Sequence, residues 1–581
     1  MSGSGAVLAV SFSPTAASAT PFGRRRAFFS PHVALGRAAD RHAHRTVPLN
    51  RLITMHRSFA LRFALATLVL LAGQGPAALA DDRFDEAVRT LRKATTIRAT
   101  GEHILLLSSL RQLHDPDLEP LFSSLSQIKN PTIQINAVLG LAELSRHRRI
   151  DSWKLSQIKD TRFRALAIIQ ARDDELISAT ELREVLIWPD LTEDLRVYVL
   201  LMLVGMGESV ESESLTTLMT KGELPGTRAY AALALCHLGQ SEGTEEPLKA
   251  LETLPPLVRD GAVREMLGTV AYMKLRGAAP WIESLLKAGD LSPTAEGIAL
   301  RSLLALDSTA GAALWREQYR NADNVGHQVR LALMLLEQAS SVPPEMFDVI
   351  TNANTPATPE DGGDPLASSL QPQTNELLSR IAAVGRIVAS GQDAVSACVE
   401  LIDRRFPPLS AWVLEYAATL ESGPASTLYS ALIADTLEEG TSLNDRLELA
   451  RLASAELLEL DVAQLRSALD MARSRQRRLA VEAILSGALT AANPQALKLI
   501  EGMNDWVSTR AQSLALLIRA RYAESITDED LNRLSLVSRG GGSVTPAGEI
   551  QAAWLYLRRT GQQGQALAAI LSDLSLGNGD R

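Results

Sequence analysis

The feature that most narrows what this chain can become is a self-similarity at an offset of 32 residues: Arg196, Tyr198, Leu201, Leu203, Val204 and Gly207 recur as Arg228, Tyr230, Leu233, Leu235, Cys236 and Gly239. Equivalent positions run through Glu102, Asn136, Arg164, Arg196, Arg228, Arg264, Glu296 and Arg330, at intervals of 34, 28, 32, 32, 36, 32 and 34. A period of this length marks a stack of two-helix units, because one helical pair cannot bury its own apolar face and is stable only against its neighbours. Composition agrees. Hydrophobic residues make up 46% and aromatics only 4%, so packing rests on Ala and Leu, both strong helix formers, and Ala lets helices approach to about 8 to 10 Å. The expected fold is all-α, an α-solenoid of stacked helical hairpins.

Local signals divide each unit in two. One unit is predicted to hold helices at 226–237 and 245–254, the next at 257–275 and 280–287. Gly239 and Gly277 are placed to adopt the left-handed conformation that closes a helix, and Ser292 followed by Pro293 offers an N-cap and a first-turn proline. Pro255-Pro256 and Pro343-Pro344 forbid continuation across the joints. With no sustained period-two run, residues 81–581 are expected to be more than about 60% helical and essentially free of sheet. Leu201 and Leu233 fall on the expected core face.

Asp160-Thr-Arg-Phe-Arg164-Ala165, Asp194-Leu-Arg196-Val197, Pro225-Gly-Thr-Arg228-Ala229 and Val263-Arg264 share one form: a turn, then Arg, then a small-residue helix. On these residues, from Asp82 to Ala353, the chain resembles the HEAT-repeat family, particularly its short-repeat branch typified by bilin-lyase-like proteins. It departs from that pattern where the Val before Arg is missing and where Asn136 and Glu296 replace Arg. The resemblance implies that each Arg is paired with an Asp of the adjacent unit, with Asp160 and Asp194 as candidates. It permits either a scaffold or an enzyme of bilin-lyase type.

Between Thr351 and Thr374 the chain is rich in Pro and Gly and poor in apolar residues, which reads as an exposed loop or linker. Helical spacing then resumes, with Arg446, Arg478 and Arg510 opening apolar helices at two intervals of 32. The expected organisation is a first helical run over 81–350, the linker over 351–374, a more divergent run over 375–575, and a disordered tail over 576–581.

The N-terminal part reads as an address. From Met55 a basic start (Arg57, Arg62) precedes an apolar stretch, Phe63 to Ala72, and a tail ending Ala78-Leu79-Ala80. This is the three-part form of a secretory signal peptide over 55–80, with cleavage expected before Asp81. The residue directly after the cleavage point is Asp81 and not Cys, so the segment does not have the form of a lipoprotein signal. Residues 1–54 are Arg-rich and nearly free of acids: either translation begins at Met55, or the segment is part of a bipartite organelle-targeting sequence. Arg25-Arg26-Ala27-Phe28-Phe29 resembles a twin-arginine signal, but Arg37 and Asp40 interrupt the apolar stretch that must follow. The expected destination is the periplasm or the exterior, with an organelle lumen as the alternative.

Charge separates the two parts. Residues 1–80 carry nine Arg and one Asp, a local +8; removing it from the total of −9 leaves −17 on residues 81–581. A body this acidic repels phosphate backbones, so no nucleic-acid partner is expected. The best candidate for a basic stripe, Arg473, Arg475, Arg477 and Arg478, is an anion site, a solvated helix face or a structural repeat position.

The motifs of the commonest readable enzymes are missing: neither standard phosphate-loop spacing, nor His-Glu-x-x-His, Cys-x-x-Cys or Gly-x-Ser-x-Gly occurs. His103, His114, His147, His237 and His327 are too scattered for a zinc site. Asp528-Glu529-Asp530 after Thr527 reads as a capped helix start, and Glu242, Glu245 and Glu246 as the same device. Trp153, Trp188, Trp281, Trp315, Trp412, Trp506 and Trp554 are expected mostly as packing anchors, any exposed on the concave face being a binding hot spot. Cys236 and Cys398 are not expected to pair, being about five repeats apart in a continuous superhelix. No catalytic, cofactor or metal-binding residue is assigned. The function expected is a scaffold binding a protein or peptide partner; the alternatives are an enzyme of bilin-lyase type or an architectural envelope component.

Overall fold

The computed structural model describes residues 76–95, 102–322, 324–352, 365–402, 407–437 and 444–577. Helix makes up 76% of it, with no strand among the described residues. The helices form a series of hairpins in which two kinds alternate. Those of one row are apolar all round: Glu193–Gly205, Pro225–His237, Thr509–Tyr522 and Pro546–Arg559 bury nearly every side chain past their first turn. Those of the other row, such as Ala179–Leu186, Ser212–Lys221 and Val462–Ser474, bury only a stripe at helical spacing. A helix buried on all sides has neighbours on both flanks as well as behind, and a striped one faces water. The first kind is therefore the inner row and the second the outer row. Leu201 and Leu233 are fully buried on inner helices.

Short polar side chains fix the helix starts. Asn130 caps Pro131–Leu144, Asp160 caps Thr161–Asp173, and Ser178 and Glu181 form a reciprocal capping box on Ala179–Leu186. Ser292 caps Pro293–Leu306 as expected, its Oγ accepting from the N–H of Ala295. Gly239 is left-handed at φ 79°. Gly277 is not: the left-handed residue at that joint is Lys274, at φ 55°. Gly277 is instead needed for space, since a Cβ there would run into the backbone of Cys236 and His237.

The core passes without interruption from the first run to the second. Thr351 and Asn352 end the helix Met346–Asn352, residues 353–364 lie outside the described residues, and the last part of the expected linker already belongs to the helix Pro365–Ala389. Proline at a first helical position leaves no donor unsatisfied, so Pro365 starts a helix where composition suggested a loop. That helix packs on Val325–Glu337 and Met346–Asn352, where Gly385 admits the Phe347 ring and Arg386 pairs with Asp348. Two inner helices show how the clusters join. Pro293–Leu306 gives Ala299 and Leu303 to the preceding cluster and Leu300 and Leu304 to the next; Thr509–Tyr522 likewise divides Leu514 and Ile518 from Leu516 and Leu517.

The continuous stack closes on itself. The first helices pack against the last: Pro76–Thr95 and Glu102–Arg111 both lie on Pro546–Arg559, and Gln563–Gly577 lies against both Pro76–Thr95 and Glu119–Leu125. One cluster runs across this seam, joining Leu91, Leu107, Leu110, Leu121 and Phe122 to Leu534, Ile550, Trp554 and Ile570. Polar contacts fix its register. The Trp554 indole N–H donates to Asp115 Oδ2 at 2.8 Å, Arg558 Nη1 lies 3.3 Å from the same oxygen, Gln551 donates to the Ser109 carbonyl at 3.0 Å, and Thr90 to that of Ser538 at 3.0 Å. Cys236 and Cys398 are both free. Cys236 donates to Thr244 Oγ1, whereas burial pushes the Cys398 thiol up to about 12.

Candidate interaction surface

Most polar groups singled out in the sequence are consumed by the fold. Arg164 is buried; it donates to the carbonyls of Ile158 and Ser156, reaches Asp190 of the adjacent unit at 3.1 Å and stacks on Trp188. Its acid is thus Asp190, and Asp160 caps its own helix instead. Arg446 pairs with Asp435 at 2.5 Å. In the basic stripe, Arg473 donates to the Asp505 carbonyl and lies over Trp506, while Arg478 pairs with Glu482 at 2.9 Å. Thr527 caps Asp528–Val537, and Asp530 is taken by Arg519 at 3.0 Å. Thr244 makes no side-chain cap; Glu245 and Glu246 sit in the first turn, where they suit the helix dipole, and Glu245 also pairs with Lys249 at 3.1 Å. No group of three or more His, Cys, Asp or Glu is placed to hold a metal ion among the described residues. No described helix is long and apolar enough to cross a membrane.

The inner row brings together side chains that no motif announced. Arg111, Glu143 and Asp174 end three successive inner helices, and the Arg111 guanidinium meets Glu143 at 2.6 Å and Asp174 at 3.0 Å. Burial opposes the Arg111 charge, but the two acids more than offset it and hold its pKa above that of a free guanidinium. One guanidinium shared by two acids is too little for Asp174, which burial pushes above the ordinary carboxylate range. Next to it Asp173 accepts from the Tyr272 hydroxyl, and Arg172 lies 4.4 Å over the Tyr272 ring. These contacts join helices Thr161–Asp173 and Pro256–Tyr272, so the stack bends sharply enough for inner helices three units apart to touch. Tyr198 and Tyr230, the repeat-equivalent pair, lie beside them, and the Tyr230 hydroxyl meets Thr269 Oγ1 at 3.2 Å. Burial pushes the hydroxyls of Tyr198, Tyr230 and Tyr272 well above their usual range, so they act as neutral hydrogen-bonding groups. The set converges, but its members bind one another across the space a concave groove would occupy.

The unspent surface lies on an edge. Each turn from an outer to an inner helix faces the same side of the stack, and three successive turns expose a large aliphatic: Ile187 at 81%, Leu224 at 53% and Leu257 at 90%. Prolines hold all three. Ile187 is followed by Trp188-Pro189, Leu224 directly precedes Pro225, and Leu257 follows Pro255-Pro256. Asp190, Asp194, Glu223 and Glu252 are exposed on the same turns, with Lys221 as an exposed base and Arg196 and Arg228 half-buried there. Trp188, Trp315, Trp412 and Trp554 are buried anchors; Trp153 is 69% exposed, but on the opposite edge, where an inner helix leads to an outer one. Sequence reasoning passed over the aliphatic edge because an apolar residue just before a helix reads as a packing staple. The available signal was its recurrence beside proline at each joint.

No protein-family model, curated protein or solved structure matches this chain.

Proposed function

We propose that this chain is an exported, HEAT-like scaffold that holds a protein partner outside the cytoplasm, using the edge of its helical stack. The observation that carries this reading is the division of the surface. The convergent Arg, Asp and Tyr side chains of the inner row are spent on one another, whereas Ile187, Leu224 and Leu257 stand in solvent on proline-bearing turns. Aliphatic side chains kept exposed at three successive joints cost solubility without stabilising the fold, and such patches mark interaction sites. Export rests on the signal-peptide form of residues 55–80.

The test is crosslinking of the full chain in its native cell, followed by fractionation and mass spectrometry. The expected result is a stoichiometric polypeptide partner in the extracytoplasmic fraction. Recovery of the protein in the cytoplasm with residues 55–80 intact, or as an uncrosslinked monomer throughout, speaks against it.

A further inference from the structure

The outer row is thin over the helix Pro131–Leu144. That inner helix has 14 residues, about 21 Å, whereas the outer helices before and after it, Glu119–Leu125 and Ser152–Ser156, have 7 and 5, about 10 and 8 Å. The two short helices meet just past their ends, where Gln127 donates to Gln157 at 3.3 Å, and part at their starts. There a cavity of about 330 Å³ opens over the last two turns of the inner helix.

The lining of this cavity is divided. Val138, Leu141, Ala142 and Leu144 supply an apolar wall, and Leu141 and Leu144 are only half-buried although they pack on the cluster at the seam. Arg146, Arg149 and Lys154 line the other part, with Glu119 and Asp151 beside them. Both acids serve their own helices, Glu119 in a first turn and Asp151 as the cap that accepts the Trp153 N–H at 3.0 Å. Arg149 is held in place, its Nη1 donating to the Glu175 carbonyl at 2.7 Å and its backbone N–H to Ser145 Oγ at 3.0 Å. A carbonyl leaves that positive charge uncompensated. The side chains of Arg146 and Lys154 make no hydrogen bond or ion pair among the described residues.

Three cations against two acids leave the lining with one positive charge in excess, on residues 81–581 that together carry −17. Beyond the lining, Arg148 stands on the same turn but Asp117 and Glu175 on the neighbouring ones, all exposed. The positive field is therefore confined to the cavity and does not spread into a patch that a polyanion could cover. A single anionic group matches it, and the apolar wall calls for a hydrocarbon attached to that group.

We propose that this cavity binds a monoanionic amphiphile, an acyl chain ended by one carboxylate or phosphodiester group, with the chain against Leu141 and Leu144 and the head group on Arg146, Arg149 and Lys154. The site lies on the edge opposite to Ile187, Leu224 and Leu257 and does not depend on the scaffold reading.

The test is isothermal titration calorimetry of the purified full chain with dodecanoate, butanoate and dodecyltrimethylammonium, each below its micellar concentration. Dodecanoate is expected to bind once per chain and at least about a hundredfold more tightly than butanoate, since each methylene taken out of water is worth about fourfold. Arg146→Glu/Lys154→Glu turns the lining from +1 to −3 and is expected to weaken dodecanoate by about a hundredfold or more. It should keep the wild-type circular dichroism and thermal midpoint, because neither side chain has a partner to lose. Arg475→Glu/Lys498→Glu makes the same change of net charge at two exposed sites elsewhere, and should leave the affinity within about twofold.

Vesicles identify the source of the ligand. Displacement of bound dodecanoate by phosphatidylglycerol vesicles, with phosphatidylcholine vesicles inert, assigns the head group to a membrane lipid; no displacement by either assigns the site to a free acid, and both results uphold it. Equal affinities for dodecanoate and dodecyltrimethylammonium show unselective adsorption of an alkyl chain. Butanoate binding as tightly as dodecanoate shows a small-anion site, and dodecanoate binding undiminished by Arg146→Glu/Lys154→Glu places the ligand elsewhere. Each of these three results, or the absence of dodecanoate binding, overturns the proposal.

Discussion

Asp115 is the residue on which closure of the stack can be tested most sharply. Its carboxylate is almost completely buried, and Oδ2 accepts the Trp554 indole N–H at 2.8 Å from more than 400 residues away in sequence, while Oδ1 accepts the Asp117 N–H at 3.1 Å and caps the short helix Pro116–Leu118. Asp115→Ala removes all of this at once. Loss of the cap costs about 1 kcal/mol. A buried indole N–H left without an acceptor costs about 1 to 3 kcal/mol. Arg558 is too exposed for its pairing with Asp115 to contribute more than about 0.5 kcal/mol. The expected destabilisation is therefore about 2 to 4.5 kcal/mol, and it acts on the seam. Native-state hydrogen exchange reads it: amides of Pro76–Thr95, Pro546–Arg559 and Gln563–Gly577 should exchange at least about thirtyfold faster, with those of Glu193–Gly205 and Pro225–His237 nearly unchanged. Asp117→Ala, an exposed neighbour, is the control, expected within about 0.5 kcal/mol of wild type. Uniform acceleration along the whole chain, or unchanged protection at the seam, refutes closure through this contact.

Further consequences can be measured. Leu233→Asp places an unpaired carboxylate at a fully buried inner-row position and should cost several kcal/mol, about 3 or more, in urea unfolding. Gly277→Ala should destabilise by more than the roughly 1 kcal/mol expected for Gly239→Ala, because the first must push apart two backbones and the second only strains a left-handed turn; equal thermal midpoints would contradict the packing at that joint. Burial raises the Glu337 pKa above its ordinary value despite Arg301. The folded state therefore binds its proton more readily than the unfolded state, and wild-type stability relative to Glu337→Gln should rise as pH falls through the folded pKa towards the unfolded one, a trend that paired urea titrations at pH 7 and 5 will show or deny. Mass spectrometry of the native protein should find Asp81 at its N-terminus, and peptides from residues 1–54 would contradict that address.

Much of the fold was legible because it is local. The 32-residue offset between Arg196 and Arg228, the cap at Ser292 and the proline joints each act within one unit, and the helices lie where those signals put them. What escaped depends on contacts between units. The period tells that helices stack but not how far each is rotated on the last, and the accumulated rotation brings Asp115 to Trp554 and Asp173 to Tyr272. Gly277 misled for the same reason, since a glycine spared for a neighbouring backbone looks in sequence like one spared for a left-handed turn. Asp190 was missed as the partner of Arg164 because the pattern marks which residue is basic, while the geometry of the next turn decides which acid reaches it.

Closure changes what the stack needs and what it offers. An open solenoid ends in two apolar faces that must be capped by polar terminal units. Here the first and last helices bury those faces in each other, which is why Leu107, Leu110, Trp554 and Leu555 can be as apolar as any residues in the middle. The same bending that lets the ends meet draws the inner helices together until Arg172 and Asp173 reach Tyr272 and Met273, filling the concave face that an open solenoid presents to its partners. The joints between outer and inner helices lie on the edge, where bending neither opens nor covers them. The binding surface proposed for this stack therefore lies on the edge and not in the groove, and there the prolines at the joints stand beside the exposed Ile187, Leu224 and Leu257.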